Sequence, residues 1–168
     1  VGDDMMFKPL SFVYRGDEFA EAVEDQLMVG DSIMIAPVYE PNAIGRYVYL
    51  PEDMLAVLFE SEDNFSCTEY KKGHHFIKIA ANQVVVFIRQ NKLLPLCCSA
   101  KCTAEQDYSK LRIIGYIREN EKACYTLYDD DGISVNVSPV ISEITAEKKN
   151  GTVLAESNNA DLEINYIN

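Results

Sequence analysis

A nearly unbroken apolar run, Ile33-Met-Ile-Ala-Pro-Val38, constrains the first part of this chain most. A strand that is apolar on both faces must be covered on both, which points to a parallel sheet clad by helices. Upstream, Met5 to Tyr14 is a second strand-like run, interrupted by Pro9. Gly16-Asp17 follows as a turn and an N-cap. Phe19, Ala22, Val23 and Leu27 then recur at helical spacing, which predicts an amphipathic helix over Glu18 to Met28 with Gly30 as its stop. Strand, helix and strand within about 35 residues make a βαβ unit, the building block of an α/β barrel or a doubly wound sheet. One such unit leaves apolar faces and strand edges uncovered, and a (β/α)8 barrel takes roughly 250 residues to close. The expectation is that residues 1–45 are a C-terminal remnant of a catalytic (β/α)8 barrel. Their structural partner, the remainder of that barrel, would then be a missing N-terminal portion outside this chain.

After residue 45 the pattern changes. Arg46 to Leu50 alternates, which sets Val48 and Leu50 on one face and Tyr47 and Tyr49 on the other. Further strands are expected at His75–Ile79, Val84–Arg89, Leu93–Leu96, Leu111–Arg118, Ala123–Tyr128, Ile133–Val137, Val140–Thr145, Thr152–Ala155 and Leu162–Ile167. Turn formers separate them at Lys72-Gly73, Asn120-Glu121, Asp131-Gly132, Asn150-Gly151 and Asn158-Asn159. Short strands at this density predict a C-terminal antiparallel β-sandwich over residues 46–168. The expected fold class is mainly β, an antiparallel β-sandwich preceded by the last βα units of a (β/α)8 barrel.

Composition narrows the function classes. The 168 residues are 48% hydrophobic and 25% charged, with a formal net charge of −12. Phosphate neutralisation needs clustered Lys and Arg, so no nucleic acid partner is expected, and no anionic membrane surface either. No apolar run approaches the roughly 20 residues that span a bilayer. The first residues carry no basic segment followed by an apolar one, which says nothing of a longer parent, and the expectation of a cytoplasmic location rests on scattered thiols that read as reduced. Cys67, Cys97, Cys98, Cys102 and Cys124 fit no common zinc spacing and read as reduced thiols. A Cys102–Cys124 bridge or a soft-metal site is the alternative.

Several residue groups invite chemical readings. Asp129-Asp130-Asp131 fails as a general acid/base pair, because neighbours on a strand end point to opposite faces. It fails as a calcium loop too, because Gly132 at the sixth position would put Leu127 first and Ser138 twelfth. A solvated hairpin turn is the expectation there. His74 and His75 are the only histidines, and as strand neighbours they diverge instead of chelating together. Gly30-Asp-Ser lacks the phosphate-loop pattern. No cofactor and no metal is expected. Tyr47, Tyr49, Tyr116 and Tyr128 are candidates for stacking on sugars, with cross-strand packing as their commoner use.

The order of motifs carries a resemblance. Lys8-Pro-Leu-Ser-Phe-Val-Tyr14 is followed by Asp25-Gln-Leu-Met-Val-Gly-Asp31 leading into Ser32–Val38, then by Arg46-Tyr-Val-Tyr-Leu-Pro51. Val86-Phe-Ile-Arg89 runs through Leu94-Pro-Leu96, and Leu127-Tyr-Asp-Asp-Asp-Gly132 closes the series. Together these resemble the C-terminal part of glycoside hydrolase family 31, the α-glucosidase family. Leu55-Ala-Val-Leu-Phe59 stands where the family often has a Trp-rich segment, and Gln90-Asn91 replaces Ala-Gly. The resemblance implies a retaining α-glycosidase acting on terminal α-linked glucose, with an α-glucoside as the parent enzyme's substrate. One carboxylate would attack the anomeric carbon while another protonates the leaving oxygen. The family's two catalytic aspartates sit on barrel strands with no counterpart here, so the catalytic residues are expected upstream of this chain. Tyr14 and Val38–Glu40 are expected near the active-site face, in structural loop roles. The chain would support the barrel and be inactive alone. The alternative is a stand-alone carbohydrate-binding or structural β-sandwich module.

Overall fold

The computed structural model describes residues 5–61, 63–102, 105–130, 133 and 138–168. The chain divides into two compact units, Val1–Gln90 and Asn91–Asn168.

The first unit holds strands β1 (Phe7–Pro9), β2 (Leu27–Val29), β3 (Ile33–Ile35), β4 (Gly45–Leu50), β5 (Met54–Phe59), β6 (Phe65–Tyr70), β7 (Gly73–Lys78) and β8 (Val84–Arg89), with short helices α1 (Leu10–Val13) and α2 (Glu18–Ala22). A six-stranded sheet runs in the order β1-β2-β3-β8-β5-β6, and β4 and β7 form a separate two-stranded ribbon. Met28, Met34, Phe87, Met54 and Ala56 from the large sheet share one core with Val48, Leu50 and Ile77 from the ribbon and with Leu10 and Ala20 from the helices. The two layers therefore close over a single apolar interior.

This arrangement corrects the barrel-like reading of the first 45 residues. β1 pairs antiparallel with β2, β2 with β3, and β3 with β8, where Met34 stands opposite Phe87. No parallel pair joins these strands, and β2, formed where the expected helix would end, lies between β1 and β3. Gly30, expected to stop a helix, takes φ 58° in the tight hairpin turn between β2 and β3. The apolar run is covered on one face: Met34 and Ala36 enter the core, whereas Ile33 and Ile35 are half-buried and Val38 is exposed, so the two-sided burial expected from its composition is not found. The cover comes from an antiparallel sheet with β4, β7 and α2 instead of barrel helices.

Two helix expectations change for local reasons. Pro9 ends β1 at φ −55°, ψ 149° and the chain turns at once into α1, so Met5–Tyr14 is half strand and half helix. Asp17 caps α2 as expected, accepting from the backbone N–H groups of Phe19 and Ala20. The helix then stops at Ala22, because Val23 is extended at φ −82°, ψ 121°. Gln26 explains why the helix yields. Its side-chain amide is buried and donates to the Tyr49 carbonyl oxygen at 2.7 Å, while its oxygen accepts from the Tyr49 N–H at 2.8 Å. A side chain thus completes the edge of β4 where no strand does.

β5 and β6 were not anticipated. β5 is Met54-Leu-Ala-Val-Leu-Phe59, apolar on both faces, and runs between β8 and β6. Without alternation it carries no period-2 signal. In β4 the expected alternation holds only partly, since Val48, Tyr49 and Leu50 are all buried while Tyr47 is exposed.

The second unit holds β9 (Lys92–Leu96), β10 (Lys110–Tyr116), β11 (Lys122–Asp129), β12 (Val140–Lys149), β13 (Thr152–Ser157) and β14 (Asp161–Ile167). One sheet runs β14-β10-β9 and the other β11-β12-β13. Leu93, Leu111, Ile113, Ile117, Ala123, Ile144 and Ala146 form the core. Asn150 and Gly151 take φ 51° and 73° between the paired Lys149 and Thr152, the two-residue hairpin that the Asn-Gly signal predicts. β10 pairs with β14 in parallel, which departs from a purely antiparallel sandwich. The strand expected at Ile133–Val137 and the Asp131-Gly132 turn lie largely outside the described residues.

Candidate functional site

Three side-chain clusters in the first unit bring together residues distant in sequence. The first gathers on the C-terminal end of β8. Arg89 donates through Nε to Glu52 Oε1 at 2.5 Å and through Nη1 to the Asp31 carbonyl oxygen at 3.2 Å. Its guanidinium lies 5.3 Å from the centroid of the Tyr14 ring. The Tyr14 hydroxyl donates to the same Glu52 oxygen at 2.9 Å. Burial above all, with the Glu52 carboxylate adding, pushes the Tyr14 hydroxyl far above its ordinary value despite the opposing Arg89 charge. The Tyr14 hydroxyl is therefore held as a donor to Glu52. Nearby, Lys8 in β1 is buried and pairs with Asp31 at 3.0 Å. The cluster locks α1 and the β2–β3 turn onto the end of β8.

The second cluster lies at the start of α2. Asp17 accepts from the Tyr49 hydroxyl at 2.7 and 2.8 Å and from Lys72 Nζ at 2.6 Å, besides capping the helix. The Lys72 hydrogen bond first, then that of Tyr49, lowers the Asp17 carboxyl to about 2. Tyr49, Phe19 and His74 pack ring on ring at centroid distances of 4.9 to 5.4 Å. With Tyr14, Arg15 and Pro51 these residues line an open groove of about 710 Å³. Every acceptor on Asp17 is engaged internally, so it is a strut and not a reacting group.

The third cluster joins the loop after β3 to the start of β4. Arg46 donates to Asp25 Oδ2 at 2.5 Å and to the Pro37 carbonyl oxygen at 2.6 Å, and stands 5.8 Å from the Tyr39 ring centroid. Tyr39 also donates to Asp25 Oδ2, at 3.3 Å. Tyr47 and Phe76, opposite each other across β4 and β7, meet edge to face at 5.1 Å. A concave pocket of about 390 Å³ opens among them, lined also by Val38, Glu40 and Gly45. Gly45 has φ 151°, and an added Cβ would overlap the Ile77 carbonyl oxygen, so the ribbon needs glycine there.

The structure separates several residues that sequence reasoning singled out. Tyr14 lines the Asp17 groove, whereas Val38–Glu40 line the Arg46 pocket. Of the four tyrosines considered for stacking, Tyr49 and Tyr116 are buried and Tyr47 and Tyr128 are exposed. His74 turns towards Phe19 and Tyr49, and His75 towards Tyr70, so the pair diverges. All five cysteines are unpaired, Cys67 with its thiol pushed up to about 11 by burial. Among the described residues no group of three His, Cys, Asp or Glu is placed to hold a metal ion, and no helix is long and apolar enough to cross a membrane. Sequence reasoning missed Asp25, Gln26, Glu52 and Lys72 as network members. Their partners described above lie 14 to 55 positions away, and the one signal was that Tyr14, Asp25, Gln26, Arg46 and Arg89 stand inside the resemblance motifs.

Comparison with known proteins bears directly on this arrangement. Residues 3–94 match the model of the glycosyl hydrolase family 31 C-terminal domain, a span that contains all three clusters. Alpha-glucosidase 2 of Bacillus thermoamyloliquefaciens is 29% identical over 129 residues, covering 76% of this chain and 15% of that protein. An alpha-xylosidase of Saccharolobus solfataricus is 29% identical over 131 residues, covering 77% of this chain and 17% of that protein. The fold is shared with a Flavobacterium johnsoniae GH31 dextranase complexed with glucose, at a TM-score of 0.73 and 22% identity over 95% of this chain and 21% of that one. The chain thus spans about a sixth of the length of these curated relatives. With the family model covering more than half of its residues, the chain belongs to glycosyl hydrolase family 31, as a C-terminal β domain of such glycosidases.

Proposed function

We propose that this chain is the C-terminal supporting part of a retaining α-glucosidase-like hydrolase that acts on terminal α-linked glucose. The family match over residues 3–94 carries the reading. The named relatives include an alpha-glucosidase, an alpha-xylosidase and a dextranase, so a glycosidic bond is their common target. The catalytic carboxylates, which in a retaining enzyme stand about 5–5.5 Å apart, come from a barrel that this chain does not contain. The three clusters described above fit a support role. The charged groups of the first two clusters are satisfied by one another, which rigidifies the unit instead of leaving reactive groups poised.

The surface that meets the catalytic part includes β1. Among the described residues this strand has β2 as its one neighbour in the sheet and so presents an open edge. Met5, Met6, Phe7 and Phe12 are exposed around it. An open edge flanked by large apolar side chains needs a cover, and the catalytic part supplies it.

The test is the stereochemistry of turnover by the longer polypeptide that carries this chain. Proton NMR of the first product from p-nitrophenyl α-D-glucoside is expected to show the α-anomer, and the α-xyloside is expected to turn over more slowly. Inversion of the anomeric centre, or a folded polypeptide inert towards every α-glycoside, would overturn the proposal.

A further inference from the structure

The outer face of the β4–β7 ribbon carries aromatic surface that the polar clusters do not consume. Tyr47 is 75% exposed and Phe76 41%, although the two rings touch each other. Tyr39, 68% exposed, stands over the same pocket on the loop after β3. Arg46 is held between the Pro37 carbonyl and Asp25 Oδ2, so its guanidinium is a fixed wall of the pocket. Asp25 Oδ1 and the Glu40 carboxylate accept no hydrogen bond among the described residues, and both residues line the cavity.

The chemistry of this lining selects its occupant. An apolar peptide would bury Asp25, Arg46 and Glu40 without giving them partners, at several kcal/mol per ion by general estimate. An anion meets two carboxylates, and a cation meets a fixed guanidinium. A neutral polyol suits every group. Its hydroxyls donate to the carboxylate oxygens and accept from Arg46, while a pyranose C–H face covers an aromatic ring. The volume of about 390 Å³ lies within the usual range for small-molecule sites and admits one to two sugar rings. We propose that this pocket is a carbohydrate-binding site for neutral oligosaccharide, with one sugar ring stacked on Tyr47. That the oligosaccharide is an α-linked glucan rests on the function proposed above; the stacking chemistry does not.

NMR titration of the 168-residue chain with maltotriose, isomaltotriose, β-linked cellotriose and choline tests it. Saturable shifts of the Tyr47 and Phe76 ring resonances are expected with an α-linked trisaccharide at millimolar concentration. Tyr47→Ala is expected to weaken binding roughly tenfold, and Tyr47→Phe, which keeps the ring, by no more than about twofold. Tyr47 is exposed, so amide protection at Met34 should be unchanged in both variants; if the alanine variant does not fold, Glu40→Gln, with a loss of roughly threefold, replaces it. No ring shifts with any sugar, equal affinity of Tyr47→Ala, or displacement of the sugar by choline would overturn the site. Equal binding of cellotriose would uphold the site and overturn the α-linkage. Because turnover is not read, failure here leaves the glycosidase reading standing, and failure of that reading leaves this one open to the same titration.

Discussion

The two units are built on different principles. The first is tied across its layers by side chains far apart in sequence: Gln26 to the Tyr49 backbone, Asp17 to Tyr49 and Lys72, Glu52 to Tyr14 and Arg89, and Arg46 to Asp25. In the second, strand ladders and tight turns are joined by side chains that bond to backbone, such as Asn91 Oδ1 accepting from the Arg118 N–H and Asn159 Nδ2 donating to the Ile141 carbonyl oxygen. β11, β12 and β13 form a meander closed at one end by Asn150-Gly151, and Asn91 and Ile117 add backbone bonds to Tyr116 and Asn168. The family match, residues 3–94, falls almost wholly on the first unit. A network of particular residues at particular positions leaves a sequence signature. A meander of alternating apolar residues is satisfied by many sequences, and in the second unit the resemblance motifs thin out accordingly.

Emptying either core should cost most and treat the units alike. Phe87→Ala is expected to cost about 3–5 kcal/mol and Ile113→Ala about 2–5 kcal/mol, since both side chains are fully buried. Native-state hydrogen exchange at Met34 and Ile113 reads the two units separately. A loss under about 1 kcal/mol at either site would show that its core is not packed as described.

Gln26→Ala separates the two principles. It leaves the buried N–H and C=O of Tyr49 without partners, at about 2–4 kcal/mol for the two groups together. Exchange at Tyr49 should accelerate strongly while Ile113 keeps its protection. A neutral outcome would mean that the Gln26 amide does not hold the edge of β4.

Acid gives the smallest effect. Asp17 titrates at about 2 in the folded chain against an ordinary 3.8, so its charged form is favoured by folding. A lowered carboxyl adds stability above its unfolded value and loses it as pH falls from about 4 towards 2. The stability difference between the wild type and Asp17→Asn should therefore shrink across that window. It should also shrink in high salt, because the Lys72 side chain is largely in solvent. A difference that stays constant with pH would remove Asp17 from the network.

Legibility in the sequence followed the same division. The strands of the second unit could be read, because Asn-Gly turns and period-2 alternation are local signals. In the first unit local signals misled. Phe19, Ala22, Val23 and Leu27 have helical spacing, yet Gln26 is drawn to the β4 edge and the helix ends at Ala22. The Ile33–Val38 run, read as apolar and covered on both faces, buries Met34 and Ala36 but leaves Val38 exposed, and the parallel barrel inferred from it is replaced by antiparallel pairing with β8. β5 lacks the period-2 alternation by which the other strands after residue 45 were read. The polar ties stayed hidden, since nothing at Glu52 announces a partner 37 positions away at Arg89. Tyr47 was named as a stacking candidate from its strand position. Its partners Tyr39 and Arg46 needed the fold of the loop between β3 and β4.

The most direct measurement is the turnover of p-nitrophenyl α-D-glucoside by the purified 168-residue chain, with amide protection at Met34 and Phe87 recorded on the same sample. A supporting domain whose chemistry is supplied from elsewhere should be protected at both amides and catalytically silent. Turnover that co-purifies with the folded chain and saturates with substrate would contradict that.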